Sequence, residues 1–274
     1  MADRSVCLTL GHGRECLCYV FNSSPGKPAV KMAWYHKLGS GLAGLGNHEM
    51  ATYRYETHLH TAEGSKCGIS SGAEFARYFK TLGYAGIFVT DHFLNGNTTV
   101  PQELPWGERI ERFCHGYEVT AREGAQIGLD VFFGWEYSYG WAHFLTYGLG
   151  KDWLLAHPDL LAWDVLQYCD RVHADGGAIV HAHPFREGVE IVQLIPDKMD
   201  AVEVVNPGRS DKANRHARDF AASFGLPGTA GSDIHSTRPK RRCGVACSRR
   251  LTGPGEYIVA VKSGDAVVFD EVQS

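Results

Sequence analysis

The chain has 274 residues, 44% of them hydrophobic and 21% charged, with a net charge of −4. That length suits one large α/β domain or two small ones, and the mildly acidic balance gives no whole-chain electrostatic case for binding nucleic acid or an anionic membrane. No apolar run approaches the ~20 residues that cross a bilayer, the N-terminus lacks the pattern of a signal peptide, and the eight cysteines form no Cys-x-x-Cys pair, so free thiols and a cytoplasmic protein are predicted.

Residues 1–50 read differently from the rest. SSPGKP (Ser23 to Pro28) and GSGLAGLG (Gly39 to Gly46) are turn and linker material, and no strand or helix period persists around them. His12, His36 and His48 sit among these linker residues. Residues 1–50 are therefore predicted to be a poorly ordered extension and 51–274 the functional domain, with Met50 a natural start just upstream of it. From Tyr53 the pattern alternates. A strand is expected over Tyr53 to His60, then a helix over Ala73 to Leu82, where Ser71 and Glu74 have capping-box spacing. A buried strand follows over Ala85 to His92, a polar loop, and a helix over 108–125. Strands are expected at Leu129 to Ser138 and Ala142 to Leu149, and a helix at Trp163 to Gly177. Strands at Ala178 to Pro184 and Ala201 to Asn206, a helix over Asp211 to Phe224 and a strand at Thr229 to His235 complete the core. A short strand near Val245 and a helix over Glu256 to Lys262 close the chain. Cys243 and Cys247 fit packing beside that late strand better than zinc binding.

This alternation predicts a parallel sheet covered by helices, with about seven core strands curled into an irregular barrel. Five strings carry the chemistry. ETHLHT (Glu56 to Thr61), VTDHF (Val89 to Phe93), GWEYSYGWAHF (Gly134 to Phe144), VHAHPF (Val180 to Phe185) and GSDIH (Gly231 to His235) each join an apolar β-like run to His, Asp or Glu. His58 and His60 stand two residues apart, which on a strand points both imidazoles to one face. A single His-x-His pair is weak evidence, and each string alone has a structural explanation. All five together point to converging ligands for divalent metals, and the fourteen histidines of the chain fit that reading. Barrel enzymes gather such residues at the C-terminal ends of their strands.

These motifs, in this order, resemble those of the polymerase and histidinol phosphatase (PHP) family over residues 54–263. The resemblance implies a distorted (β/α)7 barrel with two or three metal ions, zinc, manganese or iron, at the C-terminal ends of the strands. Carried over position by position, it implies that His58, His60, Glu136 and Asp233 hold a first ion. Glu136 would bridge to a second, shared with His143 and His183, and His92 and His235 would hold a third. Asp91 would orient His92 from behind. Many members add a His or Asp five or six residues after the second His of the first motif. Here those positions are Ser65 and Lys66. Glu63 and Cys67 are the nearby substitutes, Glu63 suiting a hard ion better and Cys67 favouring zinc. His181 would face the same way as His183 and serve as an acid or substrate contact, or be a hydrogen-bonded wall residue.

The activity the resemblance implies is hydrolysis of a small phosphorylated metabolite, a monoester or cyclic phosphodiester, by a metal-activated water. Arg186 and Arg209 follow strand ends and are candidate phosphate clamps. The basic loop from Arg238 to Arg242 could steer an anionic substrate or be merely solvated. Two other readings remain open. One is an amidohydrolase, which also opens on His-x-His. The other is a non-catalytic PHP module of the kind appended to replicative polymerases.

Overall fold

The computed structural model describes residues 53–189, 192–238 and 241–272, together with the backbone of three strands nearer the N-terminus, β1 (Ser5–Leu10), β2 (Glu15–Val20) and β3 (Lys31–Tyr35). These three form an antiparallel sheet of their own that does not join the main one, and β1 lies near the fifth helix. The expectation of no strand before Tyr53 therefore does not hold for the backbone. His12, His36 and His48 lie outside the described residues, as do Pro239 and Lys240 of the basic loop.

The main sheet follows the expected alternation. In chain order it runs β4 (Tyr53–Glu56), α1 (Gly72–Thr81), β5 (Gly86–Val89), α2 (Trp106–Ile127), β6 (Asp130–Tyr139), β7 (Ala142–Tyr147) and α3 (Lys151–Ala156). It continues α4 (Val165–Ala174), β8 (Ala178–Ala182), β9 (Ala201–Val205), α5 (Asp211–Phe224), β10 (Gly228–Ala230), β11 (Arg241–Cys247), α6 (Pro254–Ser263) and β12 (Val267–Val272). The Ser71 hydroxyl accepts from the Glu74 amide at 3.3 Å while the Glu74 carboxylate accepts from Ser71 N at 2.7 Å, so α1 begins on the capping box its sequence predicts.

The strand order is β10-β9-β8-β7-β6-β5-β4-β11-β12. With β10 lying beside β11 and β12, the sheet curls into a nearly closed barrel. The seven expected strands are β4 to β10; β11 and β12 fill the gap between the two ends, and β12 had no counterpart in the sequence reading. The sheet is also not wholly parallel, because β7 pairs antiparallel with both β6 and β8. The reason is local. Only Gly140 and Trp141 separate Tyr139 from its partner Ala142, which is too short for a crossover helix. Gly140 takes φ +59, as the first position of a two-residue hairpin turn of this kind requires.

Apolar packing fixes the wall. Tyr55, Phe88, Tyr147, Val180 and Tyr257 fill the barrel interior, and Phe88, Tyr147 and Tyr257 are fully buried. Each such ring contributes about 1.5–3 kcal/mol by leaving water. A second layer, including Phe93, Trp135, Tyr137, Phe144 and Tyr168, sits between the sheet and helices α2 to α4. Among the described residues no helix is long and apolar enough to cross a membrane.

Candidate metal centre

The strand ends converge on Glu136. His58 and His60 leave β4 just past its C-terminal end, and Leu59 between them bridges in parallel to Ile234 beyond β10. His92 follows β5 and bridges in parallel to Glu136 on β6. His183 follows β8, and Asp233 and His235 follow β10. His143 is the exception to the C-terminal rule. It lies near the start of β7, which reaches the same end of the barrel only because that strand runs antiparallel.

The distances are those of one cluster. His92 Nδ1 and His143 Nδ1 each lie 2.6 Å from a Glu136 oxygen, and His183 Nε2 lies 3.1 Å away. His58 Nε2 and His60 Nε2 stand 3.6 Å and 3.5 Å from Glu136, 3.1 Å from each other, and 3.6 Å and 3.1 Å from Asp233 Oδ1. His235 Nε2 is 3.8 Å from Asp233 Oδ1. Burial would raise the Glu136 carboxyl, but His92 and His143 outweigh it and hold it well below its ordinary range. Asp233 is likewise raised by burial and more strongly lowered by His58 and His60. Burial, reinforced by the neighbouring His92, brings His60 down to about 3, so it presents a neutral nitrogen.

The donors fit divalent ions. Buried His92 Nδ1 and Glu136 Oε2 approach to 2.6 Å, yet neither makes an aligned hydrogen bond. His58 and His60 likewise aim their Nε2 atoms at one another. Imidazole nitrogens and carboxylate oxygens crowded this closely around one point match the donor set of a divalent cation. Imidazole and carboxylate donors accommodate zinc, manganese or iron. Five overlapping groups of three ligand atoms, each within 4.8 Å of one another, can be drawn from this set and Cys67.

The supporting residues are specific. His58 Nδ1 lies 2.9 Å from Glu203 on β9, whose other oxygen accepts from His183 N and Asn206 Nδ2. Glu203 thus holds the His58 ring and the His183 backbone in place, and the sequence reading missed it. Its signal was a lone acid in an apolar strand, AVEVV. Glu56 accepts from the amides of His58 and Ser232, tying the ends of β4 and β10 together. Asp91 does not orient His92. It accepts from Thr61 N, Thr61 Oγ1 and Ser65 Oγ, each at 2.7 Å, and Ser65 Oγ lies 3.3 Å from His60 Nδ1. His183 and Asp233 take φ +27 and +50, unusual for residues other than glycine. Such conformations cost on the order of 1–3 kcal/mol and gather at functional sites.

Two residues singled out in the sequence are not brought to the cluster. Glu63 turns away, and its carboxylate accepts from Gly72 N at 3.0 Å, at the start of α1. His181 faces the helix layer. Val180 and Ala182 point into the barrel, so alternation sends His181 outward, its ring 5.0 Å from Phe144 and 6.2 Å from Phe220 of α5. It is fully buried with both nitrogens unpartnered, and burial, then the nearby His183, hold it neutral with a pKa of about 3. His183 escapes that alternation because β8 ends at Ala182 and the positive φ re-aims the next residue.

A cleft of about 440 Å³ opens over the cluster, lined also by Asn95, Asn97, Ser138, Arg186 and Arg209. Arg209 donates to Asp233 Oδ2 at 2.5 Å, and Arg186 Nη1 lies 3.4 Å from the His143 ring nitrogens while its Nε donates to Glu187. Of the described residues of the basic loop, Arg241 and Arg242 pair away from the cleft. Arg241 pairs with Asp270 and Asp211, and Arg242 lies 3.8 Å from Glu271.

Comparisons agree with this picture. A family described as PHP-associated matches residues 211–238, the segment that holds α5, β10 and the string from Gly231 to His235. A comparison with curated proteins finds no match. Among solved structures, the chain is similar to a two-domain protein from Bacteroides vulgatus described as containing a predicted PHP-like metal-dependent phosphoesterase. The TM-score is 0.60 at 13% identity, covering 82% of this chain and 69% of that one. It is also similar to PsfC from Pseudomonas syringae, with a TM-score of 0.50 at 17% identity, covering 81% of this chain and 92% of that one. At these identities the likeness establishes a shared fold, and with the matched segment it bears out the resemblance read from the motifs.

Proposed function

We propose that this chain, PHP-like in fold and in its matched segment, is a metal-dependent hydrolase that cleaves a small phosphoester, using two or three divalent ions held by His58, His60, His92, Glu136, His143, His183, Asp233 and His235. The observation that carries the reading is the convergence on Glu136. Five imidazoles lie within 3.6 Å of one buried carboxylate, at the floor of a cleft that also holds two arginines. Bound ions of this kind supply an acidified water and neutralise charge on phosphate oxygens.

The chain's own residues do the rest. Glu203 and Ser65 fix the rings of His58 and His60, so that the ligand atoms need no reorganisation. Arg186 and Arg209 present guanidinium groups to the cleft, where they bind and orient a phosphate. Arg209 also neutralises Asp233 from the side facing the cleft. At about 440 Å³ the cleft has the size of a small-molecule site. Phosphoryl transfer needs chiefly positioning and electrostatics, which this arrangement provides.

The test is metal content and phosphate release together. Protein reconstituted with zinc, manganese or iron should hold two or three equivalents, and should release phosphate from, or open, some member of a phosphorylated-metabolite panel. Glu136→Gln should lose several orders of magnitude in rate while remaining folded. Less than about half an equivalent of metal after reconstitution would sink the proposal. Turnover of amides or lactones with no turnover of phosphate esters would put an amidohydrolase in its place.

A further inference from the structure

We infer that Cys67 is a metal ligand, which with His92 and His235 completes a third ion position and gives it a preference for thiophilic ions such as zinc. This refines the metal-dependent reading above and rests on it. The Cys67 sulfur and one nitrogen from each of His60 and His92 lie within 4.8 Å of one another. Cys67 lines the cleft together with both His235 and His92. It lies in the cleft, partly exposed, where an ion could enter.

The loop that carries it is fixed in place. Lys66 N donates to Asn97 O at 2.9 Å, Gly68 N to Ser65 O at 3.0 Å and Ile69 N to His235 O at 2.7 Å. A Cβ on Gly68 would meet Thr61 O at 2.2 Å, so only glycine lets the chain fold back this closely after the cysteine. The rival donor, Glu63, is committed to the first amide of α1. His92 stands between this position and the central one: it groups with Cys67 and His60 on one hand and with Glu136 and His143 on the other, and its Nδ1 lies 2.6 Å from Glu136 Oε2 without an aligned hydrogen bond. Binding requires no redox change. The thiol releases its proton to solvent, and the sulfur lone pair forms the bond to the ion. The positions around Glu136 and Asp233 offer only nitrogen and oxygen and suit manganese or iron as well as zinc, whereas a thiolate shifts the balance at this one position.

Cobalt(II) reports thiolate ligation directly, and the experiment uses the full chain. Loaded with cobalt, the protein should show a near-ultraviolet thiolate-to-cobalt charge-transfer band. Cys67→Ser should lose that band and about one equivalent of cobalt, while the visible bands of the remaining ions persist. Cys67→Asp should regain the equivalent without the band, which separates loss of a ligand from loss of the fold. Zinc at this position should bind about 10–100-fold more weakly in Cys67→Ser, with manganese little affected. Full cobalt loading of the parent with no such band, or a band unchanged in Cys67→Ser, would overturn the inference and leave the hydrolase reading standing. Failure to bind any cobalt would overturn both.

Discussion

Glu203 makes no contact with the cleft, yet it holds His58 through Nδ1 and His183 through the backbone amide. An isosteric Glu203→Gln keeps the volume but turns an NH2 group toward at least one of its donors. Metal affinity should fall about 10–100-fold with the fold retained; an unchanged affinity by competitive chelation would show that the strand ends alone fix the imidazoles. Arg186 is a cleaner probe of substrate charge than Arg209, which is bonded to a candidate ligand. Arg186→Ala should lower kcat/KM for anionic substrates by about 1.5–3 kcal/mol, the worth of one charge-assisted bond, with metal content intact. Unaltered kinetics would return it to a solvated surface role. The histidines and acids around Glu136 were legible in the sequence because ligand chemistry restricts the residue types. The aim of individual side chains was not. His181 and His183 share a spacing with His58 and His60, but a backbone turn at His183 sends the two of the later pair to opposite sides of the sheet. Glu63 and Cys67 were equally near in sequence, and a helix terminus claimed the first.

At the scale of elements, most strands and helices followed from periodicity and capping. What did not was the strand directions, since β7 and its two-residue turn look like any other amphipathic segment until register is known. Connections between elements can be tested at Asp200, which precedes β9. Its carboxylate accepts from His173 of α4 at 2.9 Å, from Ile179 N on β8 at 2.8 Å and from Lys262 of α6 at 2.5 Å. Burial would raise this carboxyl, but the bonds from His173 and Lys262 bring it down to about 2 from 3.8. A depressed carboxyl stabilises the fold above its unfolded pKa and loses that contribution as pH falls through the folded one. Asp200→Asn should therefore cost roughly 1–2 kcal/mol at neutral pH, discounted for partial exposure. In urea titrations the gap between variant and parent should narrow as pH falls from about 4 toward 2. A gap independent of pH would mean that shape, rather than charge, holds the three elements together.

For the whole molecule, every candidate ligand lies between His58 and His235, and the sheet of β1 to β3 does not join the barrel sheet. We therefore propose that residues 51–274 are the functional domain. A chain starting at Met50 should fold, bind the same equivalents of metal and turn over substrate like the full-length protein; insolubility or lost metal would make the preceding residues part of the domain. The barrel's closure has a consequence of another kind, for biogenesis. Tyr55 of β4 pairs with Val245 of β11, and Ile234 N donates to His58 O, so one side of β4, the first strand of the barrel sheet, stays unpaired until β11 has emerged. Contacts so distant in sequence slow folding, and an open strand edge beside apolar residues invites self-association in the interval. During synthesis, the protein's exposure to aggregation is thus set by its last strands, which contribute none of the candidate ligands.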